Sequence, residues 1–425
     1  MLIRRKNVIN KLIKKITIYS KHFIKKALGR EDRFWKFYRI DRGINSKTWK
    51  SYHDIIKWAD YRLFNKEVFE KEELFYNSQD PVVVQGYHLK NEVINDFYKK
   101  YSNLNLKVLI HVPSKYISPA GYSLFTNLIQ GLNFIGIKTI PLGWDDATDN
   151  ILRIFEPDVF ITSDNIDYIS KIDWIAVSKY KKDRNLLIGL TASLEEEGNT
   201  PLDGRLQWAM DNGVDFYYCY NDEDYIKDKK EYWPYFENGY KILSVPFGAN
   251  PLIYYPVPGI NKDLDYVFIG TKTMNKILKY EYWKNILKDN IGFISGTGWN
   301  ICGNDYDFNH EWNRYILSRS KVGLNLHVDS QIKWASQLNE RTYTLAACGI
   351  PQLIDNPKIL NKVFSKGCFF VGSSPEEYEE LFYFILNNPD EAIRRTLKAQ
   401  KEVFLKNTIF HRAEKFIMDI KQLIP

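Results

Sequence analysis

Cysteine is scarce in this chain. There are four in 425 residues, Cys219, Cys302, Cys348 and Cys368, scattered without a CxxC pair and without histidine at metal-ligand spacing. That pattern points away from a disulfide framework and a structural zinc site, and a reducing cytoplasmic compartment is the expectation. Long apolar runs are missing as well. None approaches the ~18 residues that a membrane-crossing helix needs, and no charged n-region leads into an apolar core with a small-residue cleavage site, so neither a spanning segment nor secretion is expected. Acid is absent from residues 1–30, which carry Arg4, Arg5, Lys6, Lys11, Lys14, Lys15, Lys21, Lys25, Lys26 and Arg30. The overall +7 resides in that segment, and the remainder is slightly acidic.

The composition is that of a globular protein: 44% hydrophobic, 26% charged and 15% aromatic, which leaves little room for bulk disorder. At roughly 150 residues per domain the length suggests two or three domains. Wound at about 100° per residue, residues 1–30 put Ile9, Leu12, Ile13, Ile16, Phe23 and Ala27 on one side and Lys6, Lys11, Lys14, Lys21 and Lys25 on the other. Such a basic amphipathic helix suits an anionic membrane interface; packing on its own domain with a solvated basic face is the alternative. Nucleic acid is not expected, because no interleaving of basic and aromatic residues follows.

Residues 31–105 are aromatic and charged with helical spacing, as in "DRFWKFYRIDR" and "EVFEKEELFY", and read as a helical extension. Regular α/β punctuation begins at "LKVLIHV" (106–112), followed by a helical run with Leu124, Leu128, Leu132 and Ile135 on one side. "KTIPL", "DVFITSD", "NLLIGLT" and "DFYYCYN" continue the strand series. The stretch "ILSVPFGANPLIYYPVPG" (242–259), with Pro246, Pro251, Pro256 and Pro258, marks a boundary. A second set follows: "LDYVFIGT", "IGFISGTG", "VGLNLHV", "IPQLIDN" and "CFFVGSS", with helices between. Alternating strands and helices predict parallel sheets covered on both faces. Two Rossmann-like domains, 106–245 and 246–425, are expected to face a central cleft, with ligands at the carboxyl ends of the strands.

Within "SQLNERTYTLAACGIPQLIDN" (336–356) a helix is expected to begin near Asn339, leaving Arg341 in its first turn. Unpaired backbone N–H groups and the macrodipole favour anions there. A cation at that end is locally unfavourable unless an anion joins it, and a guanidinium fork suits phosphate oxygens. A structural ion pair with Glu340 is the alternative.

The series "YNDEDYIKDKKEYW…ILSVPFGANPLIYYP", "YVFIGTKTMNK", "SKVGLNLHV" and "LNERTYTLAACGIPQLIDN", continuing to "HRAEKFI", resembles the C-terminal half of GT-B glycosyltransferases, in particular the CgeB-like, glycosyl transferases group 1 branch. The likeness runs from about Tyr220 to Ile417. It implies the GT-B fold and transfer of a sugar from a nucleotide-sugar, held mainly by the C-terminal domain, to an acceptor on the N-terminal domain. No cofactor or metal is implied. The acceptor expected is a glycan, lipid-linked or other cell-surface intermediate at the cytoplasmic membrane face.

Carried over by position, Asn339, Glu340, Arg341 and Thr342 match the segment that contacts the donor's nucleotide and diphosphate, with Arg341 on the diphosphate. Gly270 and Lys272 in "GTKTMNK" match the phosphate loop, and Gly296, Gly298 and Trp299 in "SGTGWN" match a loop near the nucleoside. The chain departs from the family pattern at Thr344, where a glutamate usually holds the ribose hydroxyls. Thr344 offers only a neutral hydrogen bond, which leaves Glu340, one turn earlier, or another group for the ribose.

A metal-dependent GT-A enzyme is the rival, through DxD matches at Asp222–Asp224, Asp263–Asp265 and Asp305–Asp307. For the catalytic base the candidates are Glu195, Glu196 and Glu197 in "TASLEEEGNT", Asp164 in "ITSDN" and Asp145 in "GWDDATDN", with solvated loop acids as the alternative. His327 ends a strand and is expected to bind phosphate or sugar unless it simply packs; His111 is comparable. Inverting and retaining outcomes both stay open. The functional alternatives are an epimerase-like nucleotide-sugar enzyme and a non-catalytic GT-B partner protein, the latter favoured by Thr344.

Overall fold

The computed structural model describes residues 71–113, 118–194, 200–270, 282–296 and 310–424. The basic segment 1–30 and residues 31–70 of the helical extension lie outside them. So do Glu195, Glu196, Glu197, Lys272, Gly298, Trp299, Asp305 and Asp307.

Eleven strands form two sheets among the described residues. The first contains β1 (Lys107–Val112), β2 (Lys138–Gly143), β3 (Val159–Thr162), β4 (Leu187–Thr191), β5 (Phe216–Cys219) and β6 (Ile242–Ser244), in the order β2-β1-β3-β4-β5-β6. The second contains β7 (Leu264–Ile269), β8 (Gly292–Ser295), β9 (Ser320–Asn325), β10 (Gln352–Ile354) and β11 (Phe370–Val371), in the order β11-β10-β9-β7-β8. Every pairing is parallel. These are the two Rossmann-like parallel sheets expected from the strand pattern, in the GT-B arrangement that the family resemblance implies.

The apolar strand runs explain the layering. Along β1, Val108, Ile110 and Val112 enter one core while Leu109 enters the other, as period-2 alternation requires of a sheet covered on both faces. Pro141 sits in β2, an outer strand of its sheet, the position in a sheet where proline is tolerated.

The helices start where their caps place them. In α1 (Pro81–Phe97) Asp80 accepts from the Val82 N–H and Pro81 opens the first turn. Helix α2 (Pro119–Phe134) follows β1, and α3 (Glu340–Ala347) follows β9. In α4 (Pro375–Asn387) Ser374 caps the Glu377 N–H, while α5 (Pro389–Lys406) and α6 (Ile409–Lys421) close the described chain.

Two elements cross between the halves. Helix α1, from the extension, packs on α5: Gln85 Nε2 donates to Leu397 O at 2.8 Å and to Gln400 Oε1 at 3.1 Å. Helix α6 returns to the first half, where Phe410 stacks on Phe134 of α2 at 4.2 Å. The outgoing and returning strands of chain run side by side, with Ala249 N–H donating to Asn407 O and Ile409 N–H to Ala249 O. One of the two cores consequently spans both sheets. No helix among the described residues is long and apolar enough to cross a membrane.

Candidate active site

In each sheet the strand order reverses beside the first strand, and ligands of open α/β sheets bind at the carboxyl ends of strands at such a point. In the second sheet the point lies between β7 and β9. Helix α3 supplies its main side chains. Asn339 caps α3, its Oδ1 accepting from the Thr342 N–H at 3.0 Å, so Arg341 falls in the first turn as the sequence predicts. Its guanidinium spans the two strand ends: Nε donates to Ile269 O at 2.8 Å, Nη1 donates to Asn325 Oδ1 at 3.2 Å, and the plane lies 4.0 Å from the Phe268 ring centre.

Two glycines make this possible. A Cβ on Gly270 would lie 1.9 Å from Arg341 Nη2. Gly296, at φ 127°, rests on the Gly270 backbone, where a Cβ would come within 2.3 Å of the carbonyl oxygen. The ends of β7, β8 and β9 therefore converge on one fixed cation.

Asn325, fully buried, organises the floor. Its Oδ1 accepts from Asn339 Nδ2 at 2.8 Å, and its Nδ2 donates to Thr342 Oγ1 at 2.9 Å. Behind it His327 is also fully buried, with Nδ1 against Asp355 Oδ1 at 2.7 Å and Nε2 at 3.4 Å from Thr342 Oγ1. The structure thus encloses His327 and Thr342 as braces of the start of α3, rather than opening the His327 ring to the cleft. Thr344 lies half-buried one turn beyond Glu340 on the same helix.

Glu340 points to the other half. Asn127 of α2 donates to Glu340 Oε1 at 3.0 Å, and the buried Asn250, from the proline-rich crossing, donates to Asn127 Oδ1 at 3.1 Å and to Gln130 Oε1 at 2.7 Å. Sequence reading missed Asn127, Gln130 and Asn250; "GANP" between the two strand sets was the available signal. Burial raises the Glu340 carboxyl above its ordinary value, opposed by Arg341 and by the Asn127 hydrogen bond. A raised folded-state pKa means stability that is present at low pH and lost as pH rises through the shifted value. Relative to Glu340→Gln, the wild type should therefore lose thermal stability as pH rises above the ordinary carboxylate range. A gap between the two melting curves that does not change with pH would show that the carboxylate is not penalised by its surroundings.

Asp164 sits at the end of β3, 1% exposed. Its oxygens accept from Thr191 Oγ1, Ser193 Oγ and the Ser193 N–H, and pair with Arg205 Nη1. Arg205 is in turn bonded to Ser193 O and Leu194 O at 3.1 and 3.0 Å. This carboxylate is part of an internal network and does not reach open space as a loop acid would. The described DxD matches are also engaged: Lys362 bridges Asp222 and Asp224 at 2.6 Å each, Arg319 pairs with Asp263, and Lys321 with Asp265 at 2.8 Å. Among the described residues no group of three or more His, Cys, Asp or Glu is placed to hold a metal.

Two parallel, Rossmann-like sheets joined in the GT-B manner define the class of fold. Residues 287–418 match the family described as glycosyl transferase-like, a stretch that takes in β8 to β11 and Arg341. No curated protein matches the sequence. Similar solved structures include HepE of Anabaena in complex with UDP and glucose, at 8% identity over 75% of this chain and 100% of that one, with a TM-score of 0.45. Sucrose-phosphate synthase of Thermosynechococcus elongatus aligns at 11% identity over 75% and 99%, TM-score 0.45. T4 phage BGT in complex with its UDP-glucose substrate aligns at 12% identity over 75% and 99%, TM-score 0.45.

Proposed function

We propose that this protein is a metal-independent glycosyltransferase of the hexosyl type, moving a sugar from a nucleotide-sugar to a hydroxyl of a glycan or lipid-linked acceptor. The observation that carries the reading is the Arg341 guanidinium, held across the ends of β7 and β9 above two glycines. Bound there, the donor diphosphate would meet both this cation and the opening N–H groups of α3. Transfer joins the acceptor oxygen to the anomeric carbon as the bond to the diphosphate oxygen breaks, and the guanidinium offsets charge gathering on that leaving group. Gly270, Gly296, Asn339 and Glu340 would complete the donor site, braced from behind by Thr342, and Lys272, Gly298 and Trp299 are proposed to join it from the segments that follow β7 and β8 in sequence.

Acceptors made for a cell surface are the class we expect, in polysaccharide biosynthesis, and residues 1–30 are the segment that would hold the enzyme to an anionic membrane face. Thermal unfolding with UDP, GDP and their sugars tests the donor reading: a ligand at 100 times its Kd adds about 2.7 kcal/mol of stability. No shift with any nucleotide would favour a non-catalytic partner protein. Consumption of the sugar without an acceptor would favour an epimerase-like enzyme. Transfer should survive excess EDTA, since Lys and Arg already neutralise the described DxD carboxylates. Activity lost to EDTA and restored by manganese would overturn the metal-free reading.

A further inference from the structure

A cavity of about 180 Å³, partly open to solvent, lies where α1, the proline-rich crossing and the turn after α3 meet. It is not part of the donor site. Cys348, Gly349 and Ile350 line it just past the last residue of α3, whereas Arg341 stands in the first turn of that helix, about 10 Å away along the axis at 1.5 Å per residue. The packing around it is close: a Cβ on Gly349 would come 2.1 Å from Val82 Cγ1, and one on Gly86 2.7 Å from Pro256 Cδ. The space is therefore left by the fold rather than by loose contact.

Two side chains of opposite charge line the cavity, Lys262 and Asp80, both half-buried. Among the described residues no ion pair joins them, and Lys262 makes no hydrogen bond. Asp80 Oδ1 accepts from the Val82 N–H at 2.9 Å, and Oδ2 has no donor. Burial pulls the Lys262 ammonium below its ordinary value, with only Asp80 acting against it. Val82, Val83, Val257 and Ile350 give the cavity apolar walls.

Charges taken partly out of water need a counter-charge or hydrogen bonds. A simple anion would satisfy Lys262 but meet the Asp80 carboxylate across the same space, and a simple cation would meet the reverse. A molecule carrying both charges on one carbon answers both. Its size follows from the volume: a dry cavity of about 150 Å³ accepts benzene, so this one has room for a compact aliphatic side chain, with the charged groups toward its open side.

We infer that this cavity is a binding site for a small aliphatic α-amino acid, its carboxylate on Lys262, its ammonium on Asp80 and its side chain against Val82, Val83 and Ile350. The inference does not rest on the proposed transfer.

Calorimetric titration of the full chain with L-valine and L-leucine tests it, with isocaproate and isoamylamine as probes that keep the aliphatic body and only one of the charges. At least one amino acid should bind, and each single-charge probe should bind at least about tenfold more weakly, the loss of one charge-assisted hydrogen bond. Lys262→Met and Asp80→Asn should each weaken the amino acid to a similar degree. Both should fold, because methionine keeps the apolar stem of the lysine and asparagine still caps α1. If either fails to fold, the single-charge probes on the wild type decide. No binding by either amino acid, isocaproate or isoamylamine binding as well as leucine, or binding unaltered in the folded variants would each overturn the assignment. None of these outcomes depends on whether the chain binds a nucleotide.

Discussion

Arg341→Ala should weaken UDP binding about 10- to 150-fold while leaving uridine binding nearly unchanged, a difference that calorimetric titration of the two ligands reads directly. The size follows from a charge-assisted hydrogen bond, worth about 1.5–3 kcal/mol, at 1.4 kcal/mol per tenfold change. The selectivity follows from position: the guanidinium lies where β7 and β9 end, and only a ligand with a diphosphate brings charge to it. Arg341→Lys should recover little, because an ammonium cannot hold Ile269 O and Asn325 Oδ1 and still present a planar fork. Equal losses for UDP and uridine would assign Arg341 to the scaffold of the β7–β9 crevice alone.

Asp164→Asn should cost about 3–5 kcal/mol of stability, the usual penalty for leaving one partner of a buried ion pair without its countercharge. Arg205 is 5% exposed and Asp164 1%, so water cannot take over. Neutralising the carboxylate leaves the Arg205 guanidinium with only carbonyl partners. Urea unfolding followed by tryptophan fluorescence measures this, since Trp174 and Trp208 pack 4.6 Å apart in the same half. Transfer by the folded fraction at low temperature should persist. A stable Asp164→Asn variant without transfer would return Asp164 to the candidate bases.

Much of this fold was readable because parallel strands buried on both faces must be continuous apolar runs, and those runs stand out between polar loops. "LKVLIHV" and "LDYVFIGT" became β1 and β7 within two residues, and "VGLNLHV" became β9, which starts two residues earlier and ends at Asn325, three residues sooner, so that His327 lies past the strand end. The three-residue strand β6 was hidden inside "ILSVPFGANP", too short for a period and followed by proline. Helix α3 was legible through its cap, because an asparagine before a helical run binds the third N–H locally and needs nothing distant.

By itself, then, the sequence determined the strands, the caps, the alternation that requires two covered sheets, and the place of Arg341 in a first turn. These depend on neighbours a few residues away. Tertiary structure alone decided that Asp164 belongs to Arg205, that His327 belongs to Asp355, and that Glu340 meets Asn127 across the boundary. It also decided that α1 and α6 cross over to the opposite halves. A loop acid and a buried acid have the same side chain. Which one forms depends on the solvent and charges that elements distant in sequence bring to it, and no local period records those.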